Sequence, residues 1–309
     1  MSSTAEEATM TEKAAQPSRW SLWMRQIRAV LRLELKKNFL SRRAILIYLL
    51  ALLPVFVMLM IVTFARTNVV REEYTDNQGQ HVVRVTEVPG PLQDQQEASL
   101  VFAGIYEALI LRTVVFFGCA WIFMNLFRGE IVDRSLHYYF LSPVRREVLV
   151  AGKYLSGLLT AIILFTMTTA ASLALLFSAR GSAGFQYVMQ GPGLRQIFLY
   201  LGITVLACLG YGAVFLFIGL FFRNPIVPAL IAYGWEFINF LLPPILKKVS
   251  VIHYLHSLTP VPINEGPFAL VAEPTPAWIS VPGLLCVTAL VLVLASMQIR
   301  RMEIRYGGD

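Results

Sequence analysis

The sequence predicts an all-α integral membrane protein, with six transmembrane helices preceded by an amphipathic interfacial helix and with a small external hairpin. Three observations predict it. Of 309 residues, 56% are hydrophobic and only 15% are charged, whereas a soluble domain of this size carries roughly a quarter charged residues. The charges are segregated, so that long runs almost lack them and short segments hold most of them. One polar segment, RGEIVDRSLHYYFLSPVRREVLVAGK at 128–153, is more basic than any other stretch between the apolar runs.

Taken in order, residues 1–18 are small and polar and read as a disordered cytoplasmic tail. No apolar core follows a basic start within the first thirty residues, so no signal peptide is expected. In 19–43, Trp20, Trp23, Met24, Ile27, Val30, Leu31 and Leu35 share one helical face, with Arg25, Arg28, Arg32 and Lys36 beside it. That pattern predicts an interfacial helix with indoles at headgroup depth and basic residues toward anionic lipid. Glu34 falls at the edge of the apolar stripe, against the pattern. The six-helix domain occupies 44–299. Its first span is 44–65, kinked at Pro54. Residues 66–98 are polar, with six acidic and three basic residues, and VVREEYT and HVVRVTEV around Asp76-Asn77-Gln78-Gly79 predict the hairpin. The second span, 104–127, contains Glu107 and Arg112. The third is 154–178, and a short polar loop with Gly181, Gly191, Pro192 and Gly193 leads to the fourth, 197–222. A tight turn, Arg223-Asn224-Pro225, precedes the fifth, 226–246, with Glu236 near its middle and Pro243-Pro244 near its end. The connection 247–278 has two weakly apolar pieces, VSVIHYLHSL and GPFALVA, expected to lie on or dip into the membrane. The sixth span is 279–299, and 300–309 is a cytoplasmic tail.

Six spans put both termini on one side. The segments on that side hold eighteen Lys and Arg against seven on the other, so both termini are expected in the cytoplasm of a plasma (cell inner) membrane protein. Cys119, Cys208 and Cys286 all lie in apolar runs and read as small hydrophobes. The pI near 9.4 is explained by basic residues at span ends and gives no reason to expect nucleic acid. The sequence lacks GxxxxGK[ST], HExxH and GxSxG, so neither enzyme activity nor a cofactor is expected. His253 and His256 are three apart, but two ligands without a Cys or carboxylate nearby do not make a metal site. His137 reads as a surface residue.

Within 128–153, Ser142 can cap a helix that Pro143 begins. Val144, Val148 and Leu149 then share a face, with Arg145 and Arg146 off it. Such a helix between two spans must press its apolar side onto the membrane or a partner. Glu130 and Arg134, four apart, are placed to pair. Inside the spans, an unpaired charge costs roughly 2.5 kcal/mol or more. At ~1.5 Å per residue, Arg112 lies about 22 Å and Glu236 about 15 Å from the cytoplasmic ends of their spans. The offset lets two long side chains meet, which predicts an Arg112–Glu236 pair within a subunit or across a dimer, while Glu107 is expected to snorkel to the outer surface.

The 128–153 segment resembles the first cytoplasmic loop of ABC-2 type transporter permeases, the membrane subunits of a class of ATP-binding cassette exporters. The residues that carry the resemblance are Glu130, Ser135-Leu136, Pro143, Arg146, Glu147 and Gly152-Lys153. The order of an interfacial helix, six spans and a long connection between the last two agrees with it. The tight fourth-to-fifth turn departs from the family's common pattern. The resemblance implies a separate ABC ATPase subunit, a second identical or similar permease subunit, and a path beside the second and fifth spans. It also implies that the helix after Pro143, with Glu130, Arg145, Arg146, Glu147 and Lys153, couples the ATPase to the spans. Two other classes compete. An ion-gradient-driven secondary transporter calls for matched halves, and no internal repeat is found. A membrane-embedded lipid-modifying enzyme or intramembrane protease calls for clustered His, Asp or Glu near one membrane face, and these are missing from the sequence.

Overall fold

The structure is a computed structural model that describes residues 19–40, 44–64, 67–75, 81–89, 92, 94–132, 146–222, 224–248, 250–263 and 275–301. The expected disordered tail, Arg134, Pro143, Val144, Arg145 and Arg223 lie outside the described residues, as do the side chains of Glu130, Arg146 and Glu147.

Helices dominate. α1 (Arg19–Leu40) is followed by α2 (Ala44–Phe64), which keeps Pro54 inside it. Two strands, β1 (Thr67–Thr75) and β2 (His81–Pro89), pair antiparallel, with Thr67 opposite Pro89 and Thr75 opposite His81. α3 (Gln95–Ile105) then passes through a π-helical segment (Tyr106–Val115) into α4 (Phe116–Val132) without a break. α5 (Arg146–Ala179), α6 (Gly181–Gln190) and α7 (Gly193–Phe221) follow. α8 (Ile226–Phe237) ends in a 3₁₀ turn (Ile238–Leu241), and two short helices come next, α9 (Pro244–Lys247) and α10 (Val251–His256). α11 (Ala277–Arg301) is the last.

Five of these helical stretches are long and apolar enough to cross a membrane: Ala44–Phe64, Gln95–Leu126, Val148–Ala179, Gly193–Phe221 and Ala277–Ile299. α5 and α7 are the hub. α5 packs on α1, α2, α4 and α11, and α7 packs on α4, α5 and α11. Only 28% of the apolar stretch of α2 and 22% of that of α11 is buried. Their exposed faces are apolar (Leu49, Leu52 and Phe56; Leu290, Val293 and Met297), as for helices that meet lipid rather than water. Between α4 and α7 the packing is aromatic. The Phe116 ring lies 5.2 Å from that of Tyr211 and 4.8 Å from that of Phe215, both edge-on. Gly212 is what lets Phe123 in: a Cβ there would sit 2.6 Å from the Phe123 Cζ.

The structure departs from the sequence reading in four places. The helix expected over 226–246 stops at Phe237. Its twelve residues reach about 18 Å, short of a hydrocarbon core about 30 Å thick. Pro243 and Pro244, which lack backbone N–H groups, stand just beyond the 3₁₀ turn. The second apolar helix begins at Gln95 instead of 104. Val148 and Leu149, expected on the free face of a short separate helix, are buried in α5, which runs from Arg146 straight into its apolar stretch. Part of the apolar stripe of α1, at Ile27 and Val30, also faces protein. A Cβ at Gly152 would lie 3.1 Å from Val30 and 3.8 Å from the Ile27 Cα, so α1 is seated on α5.

Replacing Gly212 by Leu should overpack the α4–α7 seam and destabilise the fold by about 1–3 kcal/mol. A lowered thermal midpoint of the purified chain in detergent would register it.

Candidate functional site

Among the described residues, two groups of polar side chains stand out inside this apolar bundle. The first is near residue 153. Lys153 is fully buried and Glu34 is 1% exposed. The Lys153 Nζ donates to Glu34 Oε1 at 2.7 Å and to the Leu126 carbonyl at 2.9 Å. One ammonium thus joins α1, α4 and α5. Further along the same seam, Asn38 Nδ2 donates to Thr160 Oγ1 at 3.5 Å. Lys153, expected on a docking loop, is therefore an internal joint. Glu34, the residue out of pattern in the sequence, is its counter-ion.

The second place is built on the π segment. Glu107 and Arg112 are five residues apart, a spacing that does not bring side chains together on an α-helix. In the i→i+5 geometry of a π-helix they face one another, and Arg112 Nη2 donates to Glu107 Oε1 at 2.9 Å. The same geometry lets Thr113 Oγ1 reach the Ala108 carbonyl at 3.0 Å. The other Glu107 oxygen, Oε2, lies 2.9 Å from His256 Nδ1 at the end of α10. A carboxylate only accepts, so Nδ1 carries the proton.

Glu236 serves the opposite end of α10. Its Oε2 accepts from Ser250 Oγ at 2.6 Å and from the Ile252 N–H at 3.0 Å, and its Oε1 accepts from the Val251 N–H at 2.9 Å. Tyr211 O–H donates to Oε2 at 3.4 Å. The first N–H groups of a helix have no intrahelical acceptor, and here a carboxylate from α8 supplies one. α10 is thus pinned between two buried carboxylates, Glu236 at its start and Glu107 at its end.

The placements correct two expectations. Arg112, expected to pair with Glu236, is paired with Glu107, and Glu236 accepts from Ser250, Val251, Ile252 and Tyr211. Glu107 does not snorkel outward: it is 7% exposed, between Arg112 and His256. His253 and His256 also diverge, with His253 Nε2 3.1 Å from Thr275 Oγ1. Among the described residues, no group of three or more His, Cys, Asp or Glu is placed to hold a metal ion. At the start of the π segment, Tyr106 O–H donates to the Tyr200 carbonyl at 2.9 Å and lies 3.0 Å from Thr204 Oγ1. The sequence reading passed over Tyr106 and Thr204, since neither carries a charge that would mark it.

The fold and these two sites define an all-α protein with several helices suited to crossing a membrane and with paired charges held inside the bundle. No protein-family model matches the chain, and no curated protein matches it.

Two results are expected. Glu34→Met or Lys153→Met alone leaves one buried charge unpaired and should cost about 3–5 kcal/mol, whereas the double variant Glu34→Met/Lys153→Met should recover most of it; unfolding in denaturant measures the cycle. Glu236→Ala strips the start of α10 of its acceptor, and amide exchange should speed up over 250–256 while α5 stays protected.

Proposed function

We propose that the chain is the permease subunit of an ABC-2 type exporter, working with a second permease subunit and driven by a separate ATPase. The observation that carries the reading is the segment 128–153: it runs from the end of α4 to the start of α5, and its last residue, Lys153, ties three helices together. A push on this segment would reach α1, α4 and α5 at once through that buried joint. Glu130, Pro143, Arg145, Arg146 and Glu147 would meet the ATPase, while Lys153 would transmit the displacement from within.

Orientation follows from the basic residues, which favour both termini and 128–153 in the cytoplasm of the cell's inner membrane. On this reading α8, its 3₁₀ continuation and the Pro243-Pro244 segment together make the remaining crossing. Non-helical backbone at that depth is tolerated where protein or a water-filled cavity covers it, which suits a path between two subunits. The strand pair then lies outside, and α10 closes the outer half of the path, held by Glu107 and Glu236. The buried Glu107–His256 contact is the one observation favouring the alternative of an ion-gradient-driven transporter, because both groups can exchange protons.

The tagged chain, purified from detergent with its bound proteins identified by mass spectrometry, should bring down an ATPase. The variant changed at Arg145, Arg146 and Glu147 should lose it. An intact, folded chain that retains no ATPase would overturn the permease reading in favour of the gradient-driven one.

A further inference from the structure

With part of its apolar stripe seated on α5, α1 turns a different face outward. Arg25, Arg28, Arg32 and Lys36 recur every three or four residues and are all exposed, so they form one ridge along the helix. The side opposite this ridge carries Ile27, Val30, Glu34 and Asn38, which contact α5. Glu34 is the only acidic residue in the helix. Because its carboxylate is consumed by Lys153 inside the bundle, no negative charge of α1 is left on the ridge.

We infer that this ridge binds the headgroups of anionic phospholipids. Its depth is set by the α5 seam. Val30 sits against Gly152 and Asn38 against Thr160, so the ridge runs beside the first turns of the apolar stretch of α5, whose 32 residues at about 1.5 Å each exceed a hydrocarbon core about 30 Å thick and so begin outside it. That is headgroup level, with the ridge directed away from the bundle and toward surrounding lipid. Met24 (58% exposed), Leu33 (58%) and Leu40 (75%) flank the basic residues. Apolar side chains beside cations suit the boundary between headgroups and acyl chains better than the watery face of a soluble partner. The sequence placed the indoles at headgroup depth and the basic residues toward anionic lipid; the structure seats Ile27 and Val30 on α5 and leaves the four basic residues exposed. The inference rests on the chain spanning a membrane and is independent of any ATPase.

The full-length chain in detergent, given equal amounts of phosphatidylglycerol and phosphatidylcholine, is assayed by native mass spectrometry for retained lipid. A basic residue near an anionic surface contributes about 1 kcal/mol, so retention should favour phosphatidylglycerol by about tenfold or more. The preference should shrink as salt is raised. Arg25→Gln/Arg28→Gln/Arg32→Gln/Lys36→Gln should bring the two lipids near parity, and Arg25→Lys/Arg28→Lys/Arg32→Lys should keep the preference because charge is retained. If the fourfold variant does not fold, Arg28→Gln/Arg32→Gln should still lose a measurable part. Parity in the native chain, or an undiminished preference in folded Gln variants, would overturn the inference. So would an unchanged lipid preference accompanied by loss of a co-purifying acidic protein, which would mark the ridge as a protein-docking face. Loss of ATPase binding alone would leave it standing.

Discussion

A charge buried in an apolar bundle has to be matched where it stands, and the Glu34–Lys153 pair is where this chain meets that constraint. Neither side chain has access to water in the described structure, and removing either partner strands the other. Two groups that must meet at 2.7 Å fix both the position of α1 along α5 and its rotation about its own axis. Gly152 allows the close approach, and the Leu126 carbonyl brings α4 to the same point. The inward turn of Ile27 and Val30 on α1 and the outward turn of its basic ridge both follow from that register.

The same constraint acts at the far end of α3 and α4. Glu107, Arg112 and Glu236 lie among apolar residues, and each takes up partners within reach. Arg112 and Glu107 meet because the helix is π-wound between them, and the wider winding also opens a contact to His256. Glu236 is matched by dipoles: two backbone N–H groups at a helix start, a serine and a tyrosine. A six-residue helix has little stability of its own, so α10 keeps its place through these two carboxylates and its packing on α7 and α11.

The two polar centres are mechanically connected. Glu107 and Leu126 belong to one unbroken helical run, from Gln95 to Val132, about 28 Å apart at 1.5 Å per residue. Displacement of the Lys153 joint at one end would be carried along a stiff rod to the clamp on α10 at the other. The π segment lies within that run, and its winding is what pairs Glu107 with Arg112. In the proposed exporter this would be the route by which an event at 128–153 reaches the outer half of the path.

Much of the architecture was legible in residue order. The apolar runs, the amphipathic pattern of α1, the alternation around 76–79 and the segregated charges are local signals, and local hydrophobicity decides which segments leave water. Glu34, Glu107, Arg112 and Glu236 were also visible as residues out of place in their surroundings, whereas Gly152 and Lys153 stood out only through the family resemblance. Their partners were not, because a partner is a matter of which helix faces which. The π winding moved Arg112 from a remote carboxylate to one five residues away, and no α-helical spacing foretells it. The break after Phe237 turned a presumed span into a short helix whose last turn caps another. Sequence by itself determined that these helices are apolar and that a few buried charges must be neutralised. Only the tertiary structure decided which groups neutralise them, because that depends on helix register and rotation set by packing across the bundle.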